Sequence, residues 1–257
     1  MNRILMTETA CISLFAGMSL FSLLCYRLGR HKPHEEDSRA EVSGAIIGAV
    51  FALLGLLTAF TFSGAYSRYD ARRQLIVREA NAIRTAYLRL DLLQVSSQAP
   101  LRDKFRSYAA SRAALYEKLT DDSATRNELD RATALQKEIW NSAVAAGTDP
   151  QHQSTLPLFL SALNEMIDIV TTRTVAIQTH PPALIWIMLF AIALACAGLT
   201  GYRAGISKRP GCFYHILLAA ITASVLYVTL DIEYPRYGLV RLDGVNQVLV
   251  ELAETMK

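Results

Sequence analysis

The stretch VSGAIIGAVFALLGLLTAFTFSGAY, Val42 to Tyr66, holds no charged residue, is mostly apolar, and leads into Arg68, Arg72, Arg73 and Arg78. A hydrocarbon core roughly 30 Å thick needs about 20 such residues in a helix, so this stretch can cross a bilayer with length to spare. The expectation is a membrane protein. Gly44, Gly48, Ala52 and Gly55 recur three or four apart and share one helix face, opposite Ile46, Val50, Phe51 and Leu57. Small residues let helix backbones approach where lipid supplies no hydrophobic drive, so that face calls for a protein neighbour.

Three further segments pass the same length test, Thr9 to Tyr26, Pro181 to Tyr202 and Cys212 to Leu230, which gives four spans. Glu8 stands where a signal peptide would carry a basic region, and no small-x-small site follows Leu20 to Tyr26, so the first span reads as a retained anchor. Between the second and third spans lies a charged segment long enough to fold around its own core. The division is then 1–66, a helix pair with a short basic loop; 67–180, a helical extramembrane domain; 181–230, a second helix pair; and 231–257, a charged C-terminal tail. The composition, 52% hydrophobic and 19% charged, reflects that split.

Cys11, Cys25, Cys196 and Cys212 fall within or beside spans without paired spacing, which speaks against a disulfide framework or a zinc site. A net charge of +3 gives no reason to invoke nucleic acid. The place expected is the cell (inner) membrane, crossed several times. Two short loops carry Arg27, Arg30, Lys32 and Arg39, and Arg203, Lys208 and Arg209, so the rule that Lys and Arg mark the cytoplasmic side puts the 67–180 domain outside. The arginine cluster after Tyr66 argues the other way, and long domains are exempt from the rule, so sidedness stays open.

Within the charged segment, Leu75, Ile76, Ile83, Ala86, Leu90 and Leu93 recur at helical spacing, so a long helix continues from the second span, with Ser63 and Gly64 as its expected kink. Val95 to Ala99 read as a polar break, with Pro100 in the first turn of the next helix, whose face is Leu101, Phe105, Tyr108, Leu115 and Leu119. Asp121 to Ser123 offer caps for a third helix that shows Leu129, Leu135, Ile139, Trp140 and Val144 and stops at Gly147. After a polar loop, Thr148 to Thr155, a fourth helix begins near Pro157 and carries Leu160, Leu163, Ile167, Val170 and Ile177. His180, Pro181 and Pro182 mark the start of another helix. No strand-like alternation appears. The fold class is all-α: four transmembrane helices with a helical domain inserted between the second and third.

Three groups could carry chemistry. Arg68, Tyr69, Asp70, Arg72 and Arg73 crowd the membrane exit, with Arg84 and Arg89 further along the same helix. Around an axis they would form cationic rings that attract anions. Equally, they could snorkel to headgroups or pair with Asp70 and Glu79. Asn164, Glu165, Asp168 and Arg173 lie on the helix leading to His180, and the first three share a face that could meet those arginines, as an ion-handling network or as a packed polar seam. Asp231, Glu233, Pro235, Arg236, Gly238, Arg241 and Asp243 follow the last span, either as an interfacial ion site or as salt bridges. His215 is the ionisable residue within the spans and lies near an end, so no buried proton relay is expected. No catalytic Ser/His/Asp order, glycine-rich phosphate loop or HExxH motif is present, and neither enzymatic activity, a cofactor nor a metal site is expected.

The run from Phe62 through Arg73, continuing to Asn81 and Arg84, resembles the bestrophin-like domain family of bacterial membrane proteins. So do Asn164 to Asp168, His180-Pro181-Pro182, and Asp231 to Asp243 with Pro235-Arg236 and Gly238 to Arg241. Tyr66, Arg68, Tyr69 and Arg72 are also similar to the segment by which bestrophin anion channels leave their second span, and Asp231 to Pro235 to the acidic stretch after their last one. The resemblance implies a homo-oligomer, a pentamer in bestrophins, with the second helices lining a pore for inorganic ions and with cytoplasmic termini. This tail lacks the acidic run of a calcium clasp.

Two functions follow. The first is an oligomeric, ion-conducting membrane protein whose second span faces an axis through Gly44, Gly48, Gly55 and Ser63, narrowed by Phe60 or Phe62. The alternative is a non-conducting, membrane-anchored scaffold or sensor whose helices Leu101–Leu119 and Leu129–Val144 bind a protein partner.

Overall fold

The computed structural model describes residues 2–31, 37–117, 122–146, 154–208, 212–235, 239–240 and 242–256. Among them the regular elements are all helical: α1 (Asn2–Arg30), α2 (Asp37–Leu88), a short 3-10 segment (Arg89–Leu92), α3 (Val95–Glu117), α4 (Asp122–Ala146), α5 (Leu156–Gln178), α6 (Ala183–Ile206), α7 (Cys212–Glu233) and α8 (Asp243–Thr255). Among the described residues four stretches are long and apolar enough to cross a membrane, beginning at Thr7, Gly44, Leu156 and Phe213. The third of these runs on through α6, whose own sequence is the most apolar part of it.

The second of them belongs to a helix of 52 residues, about 78 Å long at 1.5 Å per residue. It is unbroken at Ser63 and Gly64, where a kink was expected. Its covered side is narrow up to Ala65, where Leu54 and Ala65 are buried, and broader beyond, where Arg72, Leu75, Ile76, Glu79, Ala80, Ala82, Ile83 and Ala86 are buried.

The helix break after α2 is shorter than the sequence suggests. Leu93 and Gln94 alone separate the 3-10 segment from α3, and Val95 to Ala99 are already helical. Pro100 lies inside α3 and not in its first turn. So close to the N-terminus a missing N–H removes a single bond, and the Gln98 side chain ties the start down by donating to the Leu93 carbonyl at 2.8 Å. The third helix starts at Asp122 as anticipated, whereas Asp121, Gly147 and most of the loop 148–155 lie outside the described residues.

The chain divides into two compact units. The first comprises residues 1–67 and 180–238. Its core joins Leu14 and Met18 of α1, Leu54 of α2, Leu189, Ala193 and Cys196 of α6, and Ala219 and Leu226 of α7. The backbones of α1 and α6 touch. A methyl group at Gly201 would stand 2.2 Å from the Ser22 carbonyl oxygen, one at Gly205 2.2 Å from that of Tyr26, and one at Gly29 2.2 Å from that of Tyr202. From Gly17 beside Leu194 through Ser22 beside Gly201 to Tyr26 beside Gly205 the contacts advance along both helices, so α1 and α6 run parallel. Gly201-xxx-Gly205 is a small-xxx-small motif that permits this close crossing. Hydroxyls in the apolar helices satisfy themselves on the preceding turn: Thr61 donates to Leu57 O at 2.7 Å and Thr200 to Cys196 O at 2.9 Å.

The second unit comprises residues 68–179 and 239–257. Ile76, Ile83, Phe105, Tyr108, Ile139, Phe159, Leu163, Met166 and Leu249 are fully buried in it. Gln136 donates to the Tyr108 hydroxyl at 2.9 Å, and burial pushes that phenol above its ordinary range against the opposing pull of Arg112. Helix α8 is part of this core through Leu249, Leu252 and Met256. Asn246 Nδ2 donates to Ala113 O at 3.3 Å, and the Arg106 guanidinium and the Tyr87 hydroxyl both donate to the Met256 carbonyl.

Three charged side chains meet inside this unit. Glu79 on α2 has no exposed surface, Arg112 on α3 holds it through Nε–Oε1 at 2.5 Å and Nη2–Oε2 at 3.2 Å, and the Arg173 guanidinium on α5 pairs with the same Oε2. Nearby on α3, the buried Ser111 hydroxyl donates to Glu128 Oε2 of α4 at 2.8 Å.

Two outcomes follow for stability. Glu79→Gln leaves two buried guanidinium groups without their carboxylate and lowers unfolding free energy by about 3–5 kcal/mol, whereas replacing Glu79, Arg112 and Arg173 together by leucine costs less than that single change. Denaturant unfolding of the solubilised protein, followed by circular dichroism, compares them. Gly205→Val forces α1 and α6 apart and costs about 1–3 kcal/mol or more, while Gly17→Ala, whose methyl would meet only Leu194 at 3.6 Å, leaves the melting temperature unchanged in detergent.

Candidate functional site

The arginine-rich segment just beyond Tyr66 is where sequence and structure both concentrate charge. The helix continues through it, so each side chain's direction is set by its place around α2. Arg72 lies on the covered side and is buried. Its Nε donates to Ala176 O at 3.1 Å and its Nη2 to Thr179 O at 3.0 Å, carbonyls at the C-terminal end of α5 that no further helical turn would satisfy. A guanidinium there also complements the negative end of the helix dipole. Arg72 is therefore a clamp on the end of α5.

Its neighbours differ. Arg68 and Tyr69 are half-buried. Arg73 is exposed, stands 3.9 Å from Asp70 and lies over the Tyr69 ring at 5.9 Å. Gln74 donates to the other Asp70 oxygen at 2.8 Å. Asn81 and Arg84 are exposed further along α2. Arg89 donates to Leu158 O and so ties the 3-10 segment to the start of α5.

On α5 the expected network divides. Asn164, Glu165 and Asp168 are exposed, whereas Arg173 is buried and pairs with Glu79. An arginine needs a carboxylate when it is taken out of water, and the carboxylate that meets Arg173 comes from α2, because the two on α5, Glu165 and Asp168, turn outward. Arg112 completes that cluster, and the sequence reading did not single it out. The signal was present: Arg112 falls on the apolar row of Leu101, Phe105, Tyr108 and Leu115, as Glu79 falls between Ile76 and Ile83. A charge on an apolar row calls for a partner on the facing helix.

In the first unit, His180 follows directly on Thr179 and begins the approach to α6. Its Nδ1 lies 2.9 Å from Glu233 Oε1, and its ring rests against Tyr234 with centroids 4.5 Å apart. The Glu233 side chain has no exposed surface, and Asp231 is also buried. Of the charged residues after the last span, the structure thus brings Glu233 to His180. Arg236, Gly238 and Arg241 lie outside the described residues, and Asp243 opens α8. Among the described residues no group of three His, Cys, Asp or Glu side chains could hold a metal ion.

Of the residues assigned to an ion path, Gly44, Gly48, Gly55, Phe60, Phe62 and Ser63 stand on the part of α2 that belongs to the first unit. Gly48 and Gly55 are exposed, and a methyl group on either would find no atom within 4 Å. Phe60 is 67% exposed and Phe62 39%, and Ser63 is exposed. Gly44 is half-buried beside the Arg203 guanidinium. Gly48, Gly55 and Phe62 are seven apart and so fall on one line of the helix.

The clamp makes a direct prediction. Arg72→Lys keeps the charge and loses the fork, Arg72→Ala loses both, and amide exchange at residues 176–179 accelerates in that order, by about tenfold or more for alanine. Hydrogen-exchange mass spectrometry of the last turn of α5 reads it.

The comparisons with known proteins agree with this architecture. A crystal structure described as a membrane protein with a leucine-to-alanine substitution matches with a TM-score of 0.67 at 16% identity, over 95% of this chain and 96% of its own. A bacterial bestrophin homolog from Klebsiella pneumoniae, bearing an isoleucine-to-threonine mutation, matches with a TM-score of 0.58 at 17% identity, over 98% of this chain and 99% of its own. At such identities they share the fold with it. No curated protein matches the sequence. The profile of the Bestrophin-like domain matches residues 13–244, nearly the whole chain, and this membrane protein belongs to that family.

Proposed function

We propose that the protein conducts inorganic anions as a homo-oligomer in which copies of α2 surround a common axis. The observation that carries the reading is the bareness of α2. In its apolar window 11% of the residues are buried within the chain, against 22–28% in the other three candidate spans, although it is among the most apolar of the four. A helix so uncovered and so rich in small residues suits neighbours of its own kind, which can approach closely at Gly48 and Gly55. Phe62, on the same line, narrows the path, and an apolar constriction can gate by dewetting.

The arginine cluster then divides into two roles. Arg72 holds α5, Arg68 lies half-buried on the covered side, and the exposed Arg73 and Arg84 supply the cationic lining that draws anions toward the constriction. The polar residues Tyr69, Asp70 and Asn81 belong to the same face of the path, while His180 with Glu233 fixes the entry to α6. Membership of the Bestrophin-like family supports conduction as the class of activity, and five copies is the number implied by the resemblance of the sequence to bestrophins.

Chloride flux from liposomes containing the purified protein tests the reading. Arg73→Ala and Arg84→Ala together lower flux by about tenfold, since clefts lined by one sign of charge concentrate counter-ions at least that much. Phe62→Ala raises it. A monomer in mild detergent, or absence of flux in any salt, rejects conduction and leaves the non-conducting scaffold.

A further inference from the structure

A groove of about 280 Å³ opens on the surface of the first unit between α1 and α6, lined by Gly17, Leu20, Phe21, Leu24 and Leu194. It exists because Gly17 has no side chain: a methyl group there would meet Leu194 Cδ2 at 3.6 Å and otherwise face open space. Leu20, Phe21 and Leu24 are 59%, 43% and 47% exposed on a helix apolar enough to cross a bilayer. Positions 17, 20, 24 and 27 share one face of α1, so the groove runs toward Arg27, about 15 Å along the helix from Gly17. Arg27 and Arg30 stand exposed in the last turns of α1. Because α6 runs parallel, its own end brings the exposed Lys208 to the same end of the unit. Glu8, the one carboxylate in α1, lies about five turns away.

From this we infer that the groove binds one anionic phospholipid, with an acyl chain along Gly17 and Leu24 and the phosphate at Arg27. A flexible methylene chain fills the missing side-chain volume, and the arginine lies where a headgroup would emerge. The last carbonyls of α1 disfavour an anion on the helix axis, so the arginine side chains, reaching outward, must make the contact. This reading needs the membrane and is independent of ion conduction.

Native mass spectrometry of the full-length protein in detergent provides the test, with dioleoylphosphatidylglycerol and dioleoylphosphatidylcholine as probes. One phosphatidylglycerol per chain should be retained, about fivefold more tightly than phosphatidylcholine, the preference that a single basic side chain near a headgroup confers. Arg27→Gln should erase that preference, and Gly17→Leu should remove retention of both lipids. Gly17→Ala, which meets no close neighbour, should weaken retention in a chain whose lipid-free melting temperature is unchanged. Equal retention of the two lipids by the native chain, or retention unaltered by Arg27→Gln or by the Gly17 variants, overturns the site. Full competition by glycerol phosphate also overturns it, since that would mark a phosphate site and not a lipid groove.

Discussion

The covered side of α2 is the constraint from which the rest of the molecule takes its form. It places Leu54 in the core of the first unit and Ile76, Ala80, Ala82, Ile83 and Ala86 in that of the second. Another side of the same helix carries Gly48, Gly55 and Phe62, which are exposed. Packing within the chain and the proposed conduction thus use different sides of one helix.

Buried charge does a different task. Glu79 could be replaced by an apolar residue with little loss if its two arginines went too, since desolvation of three ions offsets most of their attraction. Its value lies in discrimination. Leucines on α2, α3 and α5 could slide by a turn with small penalty, whereas a carboxylate seated between two guanidinium groups has one register. The Arg72 clamp acts in the same sense at the end of α5, where two carbonyls accept from one planar fork.

Much of this fold could be read from residues alone, because helical length and apolar periodicity are local properties. The four long apolar helices and the order of the intervening ones are of that kind. The break at Val95 to Ala99 was misjudged because polar residues and Pro100 resemble a loop, and only the Gln98 cap shows that a helix begins there. The glycines that bring α1 and α6 together, Gly29, Gly201 and Gly205, could be seen but not paired, since which backbones touch is a tertiary fact. Helix α8 was hidden by the charges ahead of it, although Leu249, Leu252 and Met256 repeat at helical spacing. Arg72 looked like its neighbours because sequence gives a charge but not the direction in which the side chain points.

The attachment of α8 has a consequence for biosynthesis. The second unit takes residues 68–179 from one part of the chain and residues 239–257 from another, with α6 and α7 between them. Its hydrophobic centre therefore stays unsealed while the ribosome is still producing the two apolar helices, and Leu249, Leu252 and Met256 close it last. Completion of the second unit has to wait for synthesis of α6 and α7, so a defect in folding α7 would emerge as a misfolded unit elsewhere.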